Sequence, residues 1–318
     1  MEDYPRSLSE FEKRFATEEA CMEYLCSIRW PDGFICPRCD RSGSWSTARK
    51  LFHCTDCGHQ TSVTAGTIFH RTRKPLGLWF RVIWHVTTQK FGANALGLNR
   101  VLRLGTYETA WEWLHKLRRA MVRPGRDRLS GVVEVDETFV GGEKAGKRGR
   151  GAEGKALVVI AVEDKGKGRP LGRIRLQRVA DASGNSLLDF VTKNIEPGST
   201  VRTDGWKGYN GVKSAHYNHV QAKDEAIVAQ DDKDMLPLAH RVASLLKRWL
   251  LGTYQGAVKH SHIDYYLDEY VFRFNRRTSR SRGKLFYRLL QQAVQVDPVC
   301  GKQIRGGAQS SEAPNHKL

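Results

Sequence analysis

Apolar residues recur at helical spacing through the first 125 residues of the chain. Ser7 stands three residues before Glu10, the spacing of an N-terminal capping box, and opens a helical pattern over 7–27. Three further helical patterns, separated by glycines, cover 75–90, 93–103 and 106–122. We therefore expect an N-terminal helix, 1–29, and a compact helical unit of the helix-turn-helix kind over 67–125.

From residue 131 the pattern changes to that of β-strands. Apolar, β-branched or alternating runs predict four strands, at 132–136, 156–162, 172–177 and 199–203, with a helix at 184–194 before the last of them. Strands followed by helices in this order indicate a mixed α/β domain, which we place at 130–295. Residues 301–318 lack apolar periodicity, and we expect a disordered tail there.

Four of the seven cysteines form two C-x₂-C pairs: Cys36, Cys39, Cys54 and Cys57. Each pair turns two sulfurs towards one point, so two pairs complete a tetrahedral S₄ cage of the kind that holds zinc. Four thiolates leave no open position for water, so this Zn²⁺ is expected to be structural and to fold a zinc ribbon over 30–66. The alternatives are incidental cysteines or a redox pair.

The charge of the chain indicates a polyanionic partner. Lys and Arg number 52 against 34 Asp and Glu, which gives a formal net charge of +18. Such a surplus favours binding to nucleic acid through phosphate neutralisation and counterion release, although a basic protein without such a partner is the alternative. The sequence contains no apolar run of about 18 residues and no secretory signal, so we expect a cytoplasmic protein that does not enter a membrane.

Two aspartates stand where predicted strands end. Asp136 follows the run 132–135, and Asp204 follows 199–203. Carboxylates at the ends of neighbouring strands are held rigidly and aimed at one spot, as phosphoryl transfer on DNA by two divalent ions requires. Oxygen ligands suit Mg²⁺ or Mn²⁺. Taken singly, each aspartate is better explained as a turn or capping residue, but their paired contexts favour the metal site.

Several sequence blocks resemble those of bacterial insertion-sequence transposases that carry an N-terminal zinc ribbon, an ISXO2-like group related to the Merlin superfamily. The blocks are CPRCD, CTDCGHQTSVTAGTIFHRTRKPL, VEVDETFVGG, TDGWKGY, HRVASLLKRWLLGTYQG and DEYVFRFNRR. The similarity covers about residues 10–290. It implies a ribonuclease-H-like fold, a DDE-type metal site, recognition of terminal inverted repeats in double-stranded DNA, and strand transfer into target DNA by a 3′-hydroxyl.

The resemblance places the first two catalytic residues on Asp136 and Asp204. Relatives of this kind carry a glutamate seven residues before a lysine, and here the lysine is Lys247 and the earlier position is His240. The implied set is therefore Asp-Asp-His, with Lys247 contacting phosphate near the cleaved end. Imidazole can bind Mg²⁺ or Mn²⁺ or move a proton, whereas the alternative is an ordinary helix-start residue. Acids that could replace His240 are Asp231, Asp232, Asp234 and Glu269.

Basic residues elsewhere are candidates for DNA contact, because Lys and Arg neutralise phosphates and glycine lets backbone approach them. They lie in a glycine-rich loop after the first catalytic strand, in the predicted helical unit, beside Lys247, and in an aromatic segment near residue 273. The candidates are Lys144, Lys147, Arg148, Arg150, Lys116, Arg118, Arg119, Arg248, Arg273, Arg276 and Arg277. Solvated surface or loop positions are the alternative.

Three functions remain open at this stage. The first is an active transposase, which has to pair two transposon ends and is therefore expected to be at least a dimer on DNA. The second is a DNA-binding protein that keeps the fold without catalysis, which a histidine in place of an acid favours. The third is a structure-selective nuclease of the same fold, which would cut without preference for repeat ends.

Overall fold

The computed structural model describes residues 2–123, 125–141, 155–221, 236–256 and 258–306. These residues form two compact units. The first contains the N-terminal part up to residue 123 together with 279–306, and the second contains the residues between them. In the parts of the chain that the structure describes, each helix is too short or too polar to cross a membrane.

The N-terminal segment forms two helices where the sequence pattern predicts one over 7–27. Helix α1 spans Leu8–Arg14 and α2 spans Glu18–Arg29. The side chains of Ser7 and Thr17 each accept a hydrogen bond from the backbone N–H three residues further on. Ser7 is therefore a capping residue as predicted, but Thr17 begins a second helix, because an N-cap residue has extended backbone and interrupts the first.

The cysteine segment forms a three-stranded antiparallel sheet in the order β1-β2-β3. The strands are β1 (Ser44–Ser46), β2 (Phe52–Cys54) and β3 (Gln60–Thr61). Its small core consists of the cysteines and of three aromatic side chains, in which Phe34 and Phe52 stack at 5.2 Å between ring centroids and Trp30 meets both edge-on. This core is too small to hold the segment together by apolar burial alone.

The three predicted helices after the ribbon are confirmed within two residues at each end. They are α3 (Leu76–Thr88), α4 (Ala95–Leu102) and α5 (Tyr107–Ala120). The helices α9 (Arg282–Ala293) and α10 (Gly301–Arg305) belong to the same unit. Helix α9 packs mainly on α3, and its Phe286 contacts the rings of Phe11 and Phe80.

The second unit thus ends at residue 278, whereas we predicted an α/β domain over 130–295. The difference arises because Phe286 of α9 is buried among aromatic residues of the first unit. Helix α10 lies at the start of the segment predicted to be a tail, and its Arg305 forms an ion pair with Glu112 of α5. Residues 307–318 lie outside the described residues.

The second unit is built on a five-stranded mixed sheet in the order β6-β5-β4-β7-β8. Pairs β4–β5 and β5–β6 are antiparallel, and pairs β4–β7 and β7–β8 are parallel. The strands are β4 (Val132–Val140), β5 (Ala156–Asp164), β6 (Ile174–Val179), β7 (Thr200–Thr203) and β8 (Asn218–Gln221). The four predicted strands are present, while β8, with the sequence NHVQ, is too polar to have been predicted.

Helices cover both faces of this sheet. One face packs on α7 (Pro237–Tyr254) and α8 (Ile263–Asn275), and the other on α6 (Gly184–Asn194) and the 3₁₀ helix Lys207–Ala215. Successive residues of a strand point to opposite faces. In β4, the buried Val133 and Val135 point towards α6, so the even-numbered residues of this strand point towards α7.

Candidate active site and zinc centre

Asp136 and Asp204 follow the paired parts of two neighbouring parallel strands. Strand β4 pairs with β7 through three residues, the last pair being Glu134 with Arg202. Asp136 and Asp204 each follow that pair by two residues, and the charge of Asp204 acts on the Asp136 carboxyl group. Strand β4 itself continues to Val140 against β5, so the expectation that Asp136 ends a strand was wrong. The pairing of β4 with β7 ends at Glu134, two residues before Asp136.

The Asp136 carboxyl group is in an environment that disfavours its charge. Its side chain is 14% exposed. Burial, together with the negative charges of Glu137 and Asp204, raises its pKa to about 6, and the nearby His240 partly offsets the rise. A buried carboxylate beside a second carboxylate gains stability when a cation is bound between them, which is a property of metal sites that catalyse phosphoryl transfer.

His240 contacts Asp136, as the Asp-Asp-His interpretation requires of a shared site. It lies in the first turn of α7, and its Nε2 is 3.3 Å from Oδ2 of Asp136. Its side chain is 54% exposed, so the imidazole is accessible from solvent. At this distance the ring can donate a proton to the carboxylate or bind an ion next to it.

Asp204 is held by the chain that follows it. The backbone N–H of Trp206 donates to Oδ1 of Asp204 at 3.0 Å, and the indole Nε1 of Trp206 donates to the carbonyl of Ala182 at 2.9 Å. Trp206 thus packs against the protein. Its hydrogen bonds restrict the orientation of Asp204.

The ligand atoms of Asp136, Asp204 and His240 do not all lie within 4.8 Å of one another. Among the described residues, only the four cysteines form such a group. A pair of divalent ions about 3.5–4 Å apart, however, takes its ligands from a wider area than a single ion does. The arrangement is therefore one of a carboxylate on β4, a second carboxylate directly after β7 and an imidazole in contact with the first, and not a compact three-ligand cage.

Of the four acids that could replace His240 as the third catalytic residue, only Glu269 lies among the described residues. Glu269 is 1% exposed and accepts hydrogen bonds from Tyr254 at 3.0 Å and from Arg273 at 2.8 Å. It is therefore part of the core beside α8 and is excluded as a metal ligand. Asp231, Asp232 and Asp234 lie outside the described residues.

Glu137 lies on the opposite face of β4 from Asp136. Its carboxylate accepts a hydrogen bond from the hydroxyl of Tyr209 at 2.9 Å. Tyr209 is fully buried in the core formed with α6, and burial together with Glu137 raises its pKa well above the ordinary value. Glu137 therefore influences the site through its charge and not as a ligand.

Helix α7 presents a basic face to solvent. His240, Lys247 and Arg248 are exposed, whereas Val242 and Leu246 of the same helix are buried against the sheet. His240 and Lys247 are seven residues apart, about two turns, so they lie on the same side of the helix. Lys247 is therefore exposed on the same side of α7 as His240, and the neighbouring Arg248 is exposed as well.

Arg118, which we predicted to contact DNA from the helical unit, is buried, so this prediction was wrong. Arg118 is 1% exposed, and its guanidinium lies 3.3 Å from Nδ1 of His115 in the core. Because Arg118 follows the buried Leu114 by one helical turn, it points inward and cannot reach a phosphate. Lys116 and Arg119 are half-buried, and burial lowers the pKa of Lys116.

The three arginines near the end of α8 also differ in exposure. Arg273 is paired with the buried Glu269 and has a side chain that is 14% exposed. Arg276 lies over the ring of Phe272, at 4.1 Å from its centroid, and the more exposed Arg277 lies at the same distance over Phe274. Arg273 therefore has a structural contact that competes with a role in DNA binding. The loop residues Lys144, Lys147, Arg148 and Arg150 lie outside the described residues.

The four cysteines converge as a zinc site requires. The Sγ atoms of Cys36 and Cys57 are 3.7 Å apart, those of Cys39 and Cys54 are 3.6 Å apart, and all four lie within 4.8 Å of one another. A tetrahedral ion with Zn–S bonds of about 2.3 Å separates its sulfurs by about 3.8 Å. The cluster therefore fits structural Zn²⁺.

The two cysteine pairs adopt the same backbone turn. The N–H of Asp40 donates to the carbonyl of Cys36 at 2.9 Å, and the N–H of Gly58 donates to that of Cys54 at 3.1 Å. Asp40 and Gly58 both have left-handed φ angles, 57° and 68°. This conformation suits glycine and is tolerated by aspartate, so each pair is followed by a residue that permits the turn.

Two family models match the chain. One, described as the ISXO2-like transposase domain, matches residues 128–275, and the other, described as the transposase zinc-ribbon domain, matches residues 16–60. Together they cover more than half of the 318 residues, and the first includes both strand-borne aspartates. The chain belongs to the ISXO2-like transposase family. The resemblance inferred from the sequence blocks is thereby confirmed.

No curated protein matches this transposase as a relative. Among solved structures, a match was found in the cryo-EM structure of the simian T-cell lymphotropic virus intasome in complex with PP2A regulatory subunit B56 gamma. That chain has 13% sequence identity, a TM-score of 0.30, and coverage of 64% of the transposase and 74% of its own length. A similarity this weak carries no argument about the transposase.

Sequence reasoning missed two charged residues beside the aspartates of the transposase. Glu134, which is 1% exposed, and Arg202 each precede an aspartate by two residues and therefore lie on the same face of the sheet. Burial raises the pKa of Glu134, and its hydrogen bonds to two backbone amides offset part of that rise. A glutamate within an otherwise apolar run, VVEV, is the signal that could have identified it.

Proposed function

We propose that this protein binds the terminal inverted repeats of an insertion sequence and catalyses metal-dependent DNA cleavage and strand transfer. The proposal is supported by the parallel pairing of β4 with β7, two residues before Asp136 and Asp204, and by the charge of Asp204 acting on Asp136 inside the ISXO2-like transposase domain. The sheet order is β6-β5-β4-β7-β8, and its three antiparallel strands, β4 to β6, come first in the sequence of this domain. This topology supports a ribonuclease-H-like fold.

In this proposal Asp136 and Asp204 hold Mg²⁺ or Mn²⁺. The ions, when bound, activate the attacking oxygen and stabilise the leaving one. His240 binds an ion beside Asp136 or accepts a proton there, a role that is supported by the distance of 3.3 Å between its Nε2 and that carboxylate. The exposed Lys247 and Arg248 neutralise the phosphate that approaches along α7.

We propose that α4 and α5 form the helix-turn-helix of the DNA-binding half. The two helices pack on each other, and the turn between them contains Arg103 and Gly105 with φ angles of 48° and 107°. Leu104, between them, is buried, and Tyr107 at the start of α5 is 51% exposed. In this motif the N-terminal residues of the second helix read the bases in the major groove.

The zinc ribbon and the helical unit would bind transposon ends, and the α/β unit would bind both the ends and target DNA. The net charge of +18 supports a polyanionic partner for the chain as a whole. Strand transfer joins two ends to one target, so we propose at least a dimer on DNA. A cytoplasmic location at the bacterial nucleoid is part of the same proposal.

Purified full-length protein, incubated with a linear fragment carrying the ends of its own element and with Mg²⁺ or Mn²⁺, tests this function. We expect metal-dependent nicking at the ends that Asp136→Asn abolishes. The control is Asp189→Asn, which changes an exposed aspartate paired with Lys193 on α6 and should cut normally. Cutting that ignores the repeat ends would instead indicate a structure-selective nuclease.

A DNA-binding protein without catalysis is the second candidate. The observation that favours it is His240 at the position where the family resemblance implies a glutamate. Retained binding to the ends without nicking in either metal would support it and would overturn the catalytic proposal.

A further inference from the structure

Helix α7 is capped by a residue from the sheet. Its N-cap residue is Leu236, whose side chain has no acceptor atom, and Pro237 follows at the first helical position. The next two backbone N–H groups, those of Leu238 and Ala239, both donate to Oε2 of Glu134, at 2.9 and 3.0 Å. Glu134 therefore satisfies two donors that a helix normally leaves for its own cap.

The capping carboxylate is itself fixed in place. Glu134 is 1% exposed, so these bonds are shielded from water. Its Oε1 lies 3.7 Å from Arg202, and the same guanidinium lies 3.8 Å from Asp164. Because Glu134 and Arg202 are register partners, this ion pair also joins the two strands that carry the aspartates. A negative charge at a helix N-terminus further interacts favourably with the helix dipole.

These hydrogen bonds lie close to the 3.3 Å contact between His240 and Asp136. His240 directly follows Ala239, whose amide Glu134 binds, and Asp136 lies two residues beyond Glu134 on β4. The first turn of α7 can move away from β4 if the cap is lost, whereas Asp136 is held by the continuous ladder with β5. Loss of the cap would therefore displace His240 and leave Asp136 in place.

We infer that Glu134 is a positioning residue for catalysis, which holds His240 against Asp136 by capping α7 from β4. The inference rests on the proposed function. Glu134 does not touch the DNA in this scheme and acts only through His240. Changes to residues that orient ligands of a metal site typically reduce metal affinity or activity roughly 10- to 100-fold.

A double-mutant cycle with Glu134→Gln and His240→Ala tests the inference on the full-length protein. In the wild-type background, Glu134→Gln should reduce end cleavage roughly 10- to 100-fold, as expected for such residues. In the His240→Ala background the same change should have less than about a twofold effect, because the residue through which it acts is gone. Equal fold-losses in both backgrounds would overturn the inference, since a general loss of stability acts in both.

Hydrogen exchange of the peptide that covers residues 236–242 gives a readout independent of activity. Glu134→Gln should accelerate exchange at the start of α7, and the β4 amides should be unchanged; unchanged exchange at α7 would contradict the cap. Glu163→Gln is the matched control, because Glu163 is also a buried sheet glutamate paired with an arginine, Arg173. It should not alter exchange at α7.

The two proposals fail in distinguishable ways. If the wild-type protein cleaves no DNA, the proposed function fails, and the exchange experiment alone decides whether Glu134 caps α7. If the wild type cleaves and the cycle shows independent effects, only the positioning role fails. Should Glu134→Gln not fold, Glu134→Asp, which keeps the charge but retracts the carboxylate, replaces it in both experiments.

Discussion

Asp136 should make the protein less stable until a cation is bound. Its pKa rises from an ordinary 3.8 to about 6, with burial as the largest cause. The carboxyl is 14% exposed, so solvent screens this effect only weakly. One pKa unit corresponds to about 1.4 kcal/mol, so the ionised form costs the folded state about 3 kcal/mol above pH 6. We therefore expect Asp136→Asn to raise the free energy of unfolding by up to that amount.

The pH dependence of this gain follows from linkage. Below about pH 4 the carboxyl is protonated in both the folded and the unfolded chain, and it costs no stability. Between about pH 4 and 6 the unfolded chain loses its proton first, so the folded state becomes progressively less favoured. The difference between Asp136→Asn and the wild type should consequently be near zero at pH 4 and reach its full value above pH 6.

The assay is hydrogen exchange of β4 in increasing urea, at several pH values, without added Mg²⁺ or Mn²⁺. Asp189→Asn is the control, because exposed ion pairs contribute only about 0–1 kcal/mol and should show little pH dependence here. Adding Mn²⁺ should stabilise the wild type and not Asp136→Asn, because a ligand that binds only the folded state stabilises it. A destabilising or pH-independent effect of Asp136→Asn would refute the reasoning.

Three further predictions concern the zinc centre and the basic residues. Cys39→Ser should lower the zinc content below one ion per chain and abolish exchange protection of β2, because the ribbon has little apolar core; full zinc content by mass spectrometry would contradict this. Lys247→Ala should weaken binding to transposon ends and reduce its salt dependence without changing the unfolding midpoint, and an unchanged salt slope in a titration would exclude the phosphate contact. Arg118→Ala should instead lower the free energy of unfolding by about 1–3 kcal/mol, because it removes a buried polar side chain, and an unchanged urea midpoint would show that Arg118 is not part of the core.

The sequence predicted the elements whose packing is local and periodic. The helix predicted at 184–194 agrees with α6 at both ends, and the three helices of the first unit agree within two residues. The cysteine quartet was predictable because zinc-ligand spacing constrains the chain directly. A shared site for Asp136 and Asp204 was inferred from the strands that precede them. The parallel pairing of β4 with β7 is a tertiary contact that the local pattern does not reveal.

The predictions failed where contacts between residues distant in the sequence determine the environment of a side chain. Arg118 seemed to be a surface cation, yet it lies on the helix face that packs inward. Glu269 was a candidate metal ligand in the sequence, but its carboxylate accepts hydrogen bonds from Tyr254 and Arg273 in the core. Glu134 was not identified because its partners, Leu238 and Ala239, are more than 100 residues away in the chain. Such contacts cannot be read from local pattern.

The contribution of α9 to the first unit has a consequence for synthesis of the protein. Phe286 closes an aromatic core that begins with Phe11, so that core is complete only after the whole α/β unit has left the ribosome. A chain truncated within the α/β unit would then lack Phe286, and the aromatic core of its first unit would be incomplete. Under the proposed function, a first unit with an incomplete core would compete poorly with the full-length protein for transposon ends.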